Sequence, residues 1–406
     1  MERQVAGSVE LMEPSRFARM SGAEIERRHA RLTAAADALR LDAIVAVGDE
    51  DDMSGYVRWF TDEPVSSYRT VVMFVPGEGV TVIEHGNADG FRTHDRAAAD
   101  YPGVVGIATV ASFQSVAYTA GLEAATLIGM VRKRGFTRIG LAGMDNMPNR
   151  FVRMIHDGLA GAVTLEDVTD DVDAMMVVKS PEELEHIRAA AALQDAVFAD
   201  ILPQLRPGMR EIDITALARS ASLGLGGAGG VILAGSAPQG QFAPFKLPNS
   251  QTRVVEAGDY VSLLIENAGP SGHFTEIARN IVFGKALPVL LEPSSEAHAL
   301  QTSILRSMRP GAACADVYAE HNRQRLAAGH PAETRIFAHG QGYNLVERPL
   351  IRQDEPMALL AGMNLAVHPT LADCRSCFAV MCDNFVLGED GSMTRLHRTE
   401  QKVFEI

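Results

Sequence analysis

The chain has few cysteines, a single tryptophan and no disulfide-like pattern. Its 406 residues include four cysteines, Cys314, Cys374, Cys377 and Cys382, so more than three hundred residues precede the first of them. Sparse, unevenly spread cysteines are typical of a reducing compartment. Cys374 and Cys377 have the spacing of half a zinc site, but a structural zinc ion needs four ligands and no second pair follows. We therefore expect buried strand cysteines rather than a zinc knuckle.

Basic residues and long apolar runs are also scarce. Lysine and arginine total 37 against 51 acidic residues, which gives a formal net charge of -14. Such a chain repels phosphate backbones, so we expect no nucleic-acid partner. No window approaches the roughly 18 apolar residues of a membrane span. Residues Met1 to Glu13 carry three glutamates instead of the apolar core of a signal peptide. These features predict a cytoplasmic protein with no membrane association.

The first part of the chain alternates helical and strand patterns. Its length and its 47% apolar content suit two globular domains. Glu24 to Arg40 is amphipathic, and the apolar run Ala43 to Val47 predicts a buried strand. The remaining predicted elements are strands at Thr70 to Val75, Val80 to Glu84 and Arg138 to Ala142, and a helix at Thr119 to Lys133. This alternation predicts an α/β domain over residues 1–170 and a second domain over 171–406.

The second part begins with a strong helix signal and contains an internal repeat. Ser180 to Glu183 combine an N-cap serine, a proline and two acids, and predict a helix to about Leu205. The turn Arg206-Pro207-Gly208 and, at the same offset, Asp213 recur as Arg309-Pro310-Gly311 and Asp316. An Ala-Gly turn into a strand follows each. The repeat predicts a pseudo-two-fold domain. Gly224 to Gly240 is glycine-rich but has no phosphate-binding motif.

Five segments of this second part occur together in one known family. They are, in chain order, Lys179-Ser180-Pro181-Glu182-Glu183, Gly258-Asp259-Tyr260-Val261, His339-Gly340-Gln341-Gly342, Glu347-Arg348-Pro349, and Ala361-Gly362-Met363 through His368-Pro369. In this order they resemble the creatinase, aminopeptidase P and methionine aminopeptidase family (M24). The resemblance implies an α+β pita-bread fold with a smaller α/β N-terminal domain. It covers nearly the whole chain.

The sequence departs from the metal-binding pattern of the peptidases that it resembles. Those peptidases hold two ions with two aspartates, a histidine and two glutamates. The matching positions here are Glu266, Glu276, His339, His368, and either Cys382 or Asp383. Only the histidine is kept, and a dinuclear centre depends on bridging carboxylates at fixed positions. The resemblance therefore implies a non-peptidase member, similar to creatinase or ectoine hydrolase.

Two interpretations of these residues remain open. In the first, the site has no cofactor, and Glu266, Glu276, His339 and His368 perform acid-base catalysis. In the second, these four residues and Asp383 hold one divalent ion, for which iron, zinc and manganese are suitable. This set resembles the metal-assisted site of the dimethylsulfoniopropionate lyase of the same family.

Polar residues near the motifs are candidates for binding a small-molecule substrate. They are Arg279, Gln341, Tyr343, Glu347 and Arg348. The histidine base of creatinase itself has no counterpart between Phe242 and Arg253, where Lys246 is a possible substitute. His273 is interpreted as a loop residue rather than a catalyst.

The favoured function is a hydrolase that cleaves a C–N bond in a small non-peptide amide or amidine. Glu266 or Glu276 would activate water, and His339 or His368 would protonate the departing nitrogen. The alternatives are a one-metal lyase and a non-catalytic pita-bread binding module. By resemblance to creatinase-like members we also expect a homodimer, in which Trp59, Tyr68 or Arg69 would contribute to the site of the other subunit.

Overall fold

The computed structural model describes residues 18–49, 55–65, 68–98, 101–373 and 376–406. The segment Met1 to Glu13 and Cys374 lie outside these ranges. The chain divides into two compact units. The first comprises residues Arg19–Glu182, and the second comprises Glu183–Ile406 together with Ala18. The division comes later than the predicted 170/171 boundary, because the helix at Thr169–Met176 packs on elements of the first unit.

The first unit alternates helices and strands as the apolar pattern predicts. Its elements are α1 (Gly22–Leu39), β1 (Ala43–Gly48), α2 (Gly55–Thr61), β2 (Thr70–Val75), β3 (Gly79–His85), β4 (Gly90–Thr93), β5 (Val104–Val110), α3 (Leu122–Arg134), β6 (Arg138–Ala142), α4 (Asn149–Leu159), β7 (Thr164–Asp167) and α5 (Thr169–Met176).

One mixed sheet organises this unit. Its described strands are ordered β4-β5-β3-β2-β1-β6-β7, with β1 antiparallel to β2 and parallel to β6. Every residue of β1 is buried, which explains its unbroken apolar run. Leu127 of α3 and Phe151 and Ile155 of α4 pack into the same core as β1. The predicted α/β character of this part of the chain is confirmed.

The second unit combines helices with mostly antiparallel sheets. Its elements are α6 (Pro181–Ile201), α7 (Glu211–Gly224), β8 (Gly230–Pro238), β9 (Asp259–Ala268), β10 (Phe274–Val282), α8 (Pro288–Leu305), α9 (Cys314–Ala327), β11 (Ala338–Gly340), β12 (Glu347–Leu350), β13 (Asn364–Val367), β14 (Thr370–Asp373), β15 (Cys377–Val380), β16 (Asp383–Leu387), β17 (Met393–Arg395) and β18 (Phe404–Glu405). Among the described residues the sheets are ordered β18-β10-β9-β8, β12-β11-β13-β16-β17 and β14-β15. Among the helices that the structure describes, none has the length and hydropathy of a membrane span.

The repeat seen in the sequence is a structural repeat. Helices α6 and α7 precede the strands β8 to β10, and helices α8 and α9 precede the strands β11 to β16, so each half has two helices followed by strands. Gly208 and Gly311 end the matching turns with φ of 93° and 87°, a conformation that favours glycine. Their N–H groups donate over 2.8 Å to the carbonyls of Val255 and Leu359. The predicted pseudo-two-fold organisation is confirmed.

The two halves of the second unit meet in the middle of their sheets. Ala278 of β10 and Cys382, next to β16, form an isolated antiparallel bridge with both N–H···O distances at 3.3 Å. This bridge brings Glu276 of the first half beside side chains of the second half. The candidate site lies at this seam.

Candidate functional site

Three titratable side chains converge at the seam. Glu276 lies on β10, His339 on β11, and His368 directly follows β13. Oε1 of Glu276 is 4.0 Å from Nε2 of His339 and 3.7 Å from Nε2 of His368. One ligand atom of each residue lies within 4.8 Å of the other two. We call these three residues the ligand trio.

The ligand trio is enclosed, with one accessible edge. The side chains of Glu276 and His339 are only 6% and 5% exposed, whereas that of His368 is 20% exposed. Gly340 follows His339, and a Cβ there would stand 2.1 Å from the carbonyl oxygen of Arg348. The glycine of the HGxG motif is therefore required by a close backbone approach that holds β11 against β12.

The charges in the ligand trio follow from burial and proximity. Burial by itself raises the pKa of Glu276, but His368, His339 and hydrogen bonds with Cys382 and Glu266 outweigh it and lower the pKa below its ordinary value. Burial lowers the pKa of His368 to about 4, although Glu276 opposes that shift. At neutral pH the trio therefore contains an ionised carboxylate and, at His368, a neutral imidazole that can bind a metal.

The structure distinguishes Cys382 from Asp383. The Cys382 thiol lies 2.8 Å from Oε1 of Glu276 and donates to it. Burial first, and then the nearby Glu276 carboxylate, raises the pKa of this thiol. Asp383 instead accepts from Arg279 over 2.7 Å, and both of these side chains are fully buried. Including Asp383 with the metal ligands is therefore corrected, because neighbouring strand residues point to opposite faces.

Arg279 also lies on the far side from the ligand trio. Besides Asp383, its guanidinium donates to backbone carbonyls, namely those of Ala278, Cys382, Thr399 and Glu400. The predicted substrate contact of Arg279 is wrong, because these internal bonds use its donors and its side chain is inaccessible. We call Arg279, Asp383, Arg395 and His397, whose side chains gather around the Asp383 carboxylate, the arginine cluster.

Glu266 lies next to Glu276 but outside the ligand trio. The two residues are cross-strand partners on β9 and β10. Oε1 of Glu266 accepts from Nε2 of Gln341 over 2.9 Å. Asn384 donates to Oε1 of Gln341 over 2.9 Å and accepts from the N–H of Glu276 over 2.7 Å. A buried amide relay therefore links both glutamates, and Gln341 orients Glu266 through it.

The other candidate binding residues stabilise the loop between β11 and β12. Tyr343 is buried, bonds Glu183 through its hydroxyl and packs on the ring of His273. Glu347 accepts from the N–H of Tyr343 over 3.0 Å, and Arg348 pairs with Glu355 over 2.6 Å. These contacts support a structural contribution from Tyr343, Glu347 and Arg348. Substrate contact by any of the three stays a prediction.

Lys246, the possible substitute base, and His273, which was interpreted as a loop residue, both have structural partners. Lys246 pairs over 2.7 Å with the buried Glu211, so it stabilises its own loop. His273 is buried and bonds Oγ of Ser271 over 2.9 Å.

Of the residues considered for a dimer, Trp59 is completely buried and Arg69 is 8% exposed, which leaves little of either for a second subunit. Tyr68 packs on His85 and Phe113. The described cysteines, Cys314, Cys377 and Cys382, are all buried and unbridged. Cys377 lies on β15, in agreement with the prediction of buried strand cysteines, whereas Cys314 lies on α9.

Sequence reasoning missed Asn384 and His397 and left Cys382 undecided. The signal that could have found Cys382 and Asn384 is the alternation of side chains in the extended segment that leads into β16. Cys382 and Asn384, two residues apart, both contact Glu276, whereas Asp383 between them turns to the arginine cluster. His397 lies after β17, beyond the family motifs.

Comparison with known proteins places the chain in a family. Residues 185–389, about half of the chain, match the model for metallopeptidase family M24. A probable dipeptidase PepE of Mycobacterium bovis is 26% identical over 263 residues, 64% of this chain and 68% of that protein. The uncharacterized peptidase YqhT of Bacillus subtilis is 25% identical over 255 residues, 59% of this chain and 67% of that protein.

Solved structures share the architecture at lower identity. The X-Pro aminopeptidase of Thermotoga maritima has a TM-score of 0.77 at 18% identity, covering 93% of this chain and 99% of its own. Dipeptidase PepE of Mycobacterium ulcerans has a TM-score of 0.73 at 20% identity, covering 96% of this chain and all of its own. At these identities the structures show the fold alone. The family match, together with this pita-bread architecture, shows that the chain belongs to metallopeptidase family M24, a family of hydrolytic enzymes.

Proposed function

We propose that the chain is a hydrolase that cleaves a C–N bond in a small non-peptide amide or amidine, with one divalent ion held by Glu276, His339 and His368. The observation that carries this proposal is the composition of the ligand trio, which has one carboxylate and two imidazoles within 4.8 Å. Such a donor set suits zinc, iron or manganese.

The surroundings of the trio favour one ion over two. A dinuclear centre requires carboxylates that bridge both ions. Glu266 is held by Gln341, and Asp383 is paired with Arg279 on the other face. Among the described residues, Glu276 is therefore the one carboxylate that groups with the two imidazoles. This difference from the dinuclear pattern supports a substrate other than a peptide.

The neighbouring groups have roles that fit hydrolysis. A bound ion would supply Lewis-acid activation of water and of the scissile carbonyl or amidine carbon. Glu266 lies beside the trio and is oriented by Gln341, so we assign it to accept a proton from water and deliver it to the departing nitrogen. The accessible edge of His368 marks the side from which a substrate would enter.

The alternatives have less support. The relatives compared above are named as peptidases, so the lyase interpretation gains nothing from them. The binding-module alternative is considered because the fold also occurs in a subunit of a complex. The N-terminal domain of the chickpea FACT subunit SPT16 has a TM-score of 0.64 at 14% identity. A pure binding module has no need to bury three titratable groups, since burying them costs free energy.

The first test is elemental analysis of protein purified without chelator or a nickel column. We expect about one zinc, iron or manganese ion per chain, and none in a Glu276→Ala, His339→Ala double variant. Absence of stoichiometric metal from the wild-type protein would contradict the one-ion site and favour the metal-free acid-base interpretation.

The substrate class is tested separately by turnover. A panel of cyclic amides and amidines would be compared with dipeptides, including Xaa-Pro dipeptides. We expect turnover of a non-peptide compound that the double variant has lost. Hydrolysis of dipeptides alone would show that the C–N bond is a peptide bond, and no turnover by metal-loaded protein would favour a binding module.

The homodimer and the cytoplasmic location stay predictions. Light scattering of the purified chain would give the oligomeric state, with twice the mass of the 43.7 kDa chain as the expected result. A single-chain mass would contradict the homodimer.

A further inference from the structure

Cys382 occupies an unusual position for a core cysteine. Its side chain is 1% exposed and joins an apolar cluster with Leu264, Ala278 and Phe378. Its sulfur is nevertheless 2.8 Å from Oε1 of Glu276, a member of the ligand trio. Cys377, five residues earlier, is also buried. Among the described residues, the hydrogen-bond partner of its thiol is the backbone carbonyl of Leu371, at 3.8 Å.

We propose that Cys382 is a fourth ligand, so that the ion is held by Glu276, His339, His368 and a thiolate. This inference rests on the one-ion site of the proposed function and specifies the metal that it takes. On binding, an S–metal bond forms and the S–H bond breaks, and the released proton passes to solvent. The Glu276 oxygen, which accepts the S–H of Cys382 in the structure, would then bind the same ion as the sulfur.

The distances measured from Glu276 are compatible with this arrangement, but the Cys382 sulfur lies outside the group of ligand atoms that are all within 4.8 Å of one another, so its side chain would have to shift. In a tetrahedral zinc site, a carboxylate oxygen and a thiolate sulfur are about 3.6 Å apart, and an oxygen and an imidazole nitrogen about 3.4 Å. The corresponding distances from Oε1 are 2.8 Å to Sγ of Cys382, 4.0 Å to His339 and 3.7 Å to His368. Each differs from the tetrahedral value by less than 1 Å. The sulfur approaches the trio from the Glu276 side, and an ion would draw it toward the imidazoles.

A thiolate changes which ions the site selects. Sulfur is a soft ligand that favours zinc, and carboxylates are hard ligands that suit manganese and magnesium. With Glu, His, His and Cys as ligands, water or substrate would bind as a fifth ligand, a coordination number that catalytic zinc can reach. We therefore infer a preference for zinc, cobalt or cadmium over manganese.

Cobalt absorption spectroscopy tests this ligand directly. The metal-stripped protein would be loaded with Co²⁺ under reducing conditions, and its metal content and near-ultraviolet spectrum recorded. We expect one cobalt per chain and a thiolate-to-cobalt charge-transfer band. Cys382→Ser should still bind cobalt but lose the band. Cys377→Ser, the matched change at a buried cysteine that is not a proposed ligand, should keep the band.

The other outcomes separate this inference from the proposed function. One bound cobalt without the band would overturn the thiolate ligand and leave the one-ion site intact. No bound cobalt would overturn the one-ion site itself. If Cys382→Ser does not fold, X-ray absorption of zinc-loaded wild-type protein decides the matter. A Zn–S shell at about 2.3 Å supports the thiolate, and a shell of nitrogen and oxygen alone contradicts it.

Discussion

The ligand trio and the arginine cluster lie at the same seam yet differ in how their charges are satisfied. In the arginine cluster, Asp383 accepts from Arg279 and from Gln401, and Arg279 also donates to four backbone carbonyls. In the trio, the shortest contacts between the carboxylate and the imidazoles are 3.7 and 4.0 Å, beyond hydrogen-bonding distance. The hydrogen-bonded Asp383–Arg279 pair stabilises the fold. The side chains of the ligand trio are too far apart to bond to one another, which leaves space between them for a ligand such as a metal ion.

Alternation along two strands produces this difference. Glu276 and Arg279 are three residues apart on β10 and therefore point to opposite faces. Cys382 and Asp383 are adjacent and do the same. Opposite faces of the same two chain segments thus carry a candidate reaction centre and a structural ion pair.

The largest expected effect is on stability and comes from the arginine cluster. Asp383→Asn leaves the Arg279 guanidinium buried without its counter-charge, which costs about 3–5 kcal/mol in the free energy of unfolding. Denaturant titration measures this loss. The same change in the exposed Asp354–Arg352 pair serves as the control and should leave the unfolding midpoint unchanged. An equal effect of the two variants would remove the distinction between the clusters.

The reverse pattern is expected for the ligand trio. Glu276→Gln should lower kcat/KM by at least about 100-fold, because it removes the only carboxylate of the trio. It should also reduce the bound metal, while the unfolding free energy falls by less than in Asp383→Asn. Elemental analysis and denaturant titration of the same preparation check both statements. Retention of metal and turnover would exclude the trio as the centre of the reaction.

A buried histidine outside both clusters sharpens the comparison through pH. His321 of α9 stacks on Phe337 at 3.8 Å, and neither ring nitrogen has a hydrogen-bond partner among the described residues. Burial lowers the pKa of His321 to about 4. Below its ordinary value of 6.5, the unfolded chain takes up a proton that the folded chain does not.

The contribution of the neutral His321 to the free energy of unfolding should therefore be complete above pH 6.5 and should decrease as the pH falls toward 4. The loss at the acid end should be up to about 3 kcal/mol. His321→Phe should flatten this part of the pH–stability curve in thermal melts between pH 4 and 8. A curve with unchanged slope would show that other groups cause the acid sensitivity.

The smallest effects concern the repeated turns, which compare the two halves of the second unit. Gly208→Ala and Gly311→Ala should each cost about 1–2 kcal/mol, because φ near 90° strains an L-residue. Neither added Cβ meets another atom within 4 Å, so strain of the backbone is the main cost.

Gly224→Ala, at the end of α7 with open space and no positive φ, is the matched control. It should be neutral or slightly stabilising. Chemical denaturation of the three variants measures the comparison, and unequal costs at Gly208 and Gly311 would show that the halves differ in more than their side chains.

The sequence predicted the fold well because its signals are local or motif-based. The run Ala43 to Val47, the turn glycines Gly208 and Gly311, and the helix start at Pro181 all mark elements that the structure contains. The M24 resemblance then provided the arrangement of the second unit, which local patterns alone do not give.

The candidate site was only partly predictable. Glu276, His339 and His368 follow from motif positions, and the structure brings them together. The choice between Cys382 and Asp383 depends on a strand register of one residue, which motif spacing does not resolve. Arg279 was misassigned although strand alternation could have corrected it, because a residue three positions after Glu276 on the same strand points to the opposite face.

The isolated bridge between Ala278 and Cys382 joins the two repeats next to the ligand trio, so metal binding could affect stability as well as activity. Glu276 belongs to the first repeat and both imidazoles belong to the second, so an ion bound by all three would link the two repeats beside this bridge. Metal binding and the stability of the second unit would then be thermodynamically linked. A chelator would lower the free energy of unfolding and abolish activity together.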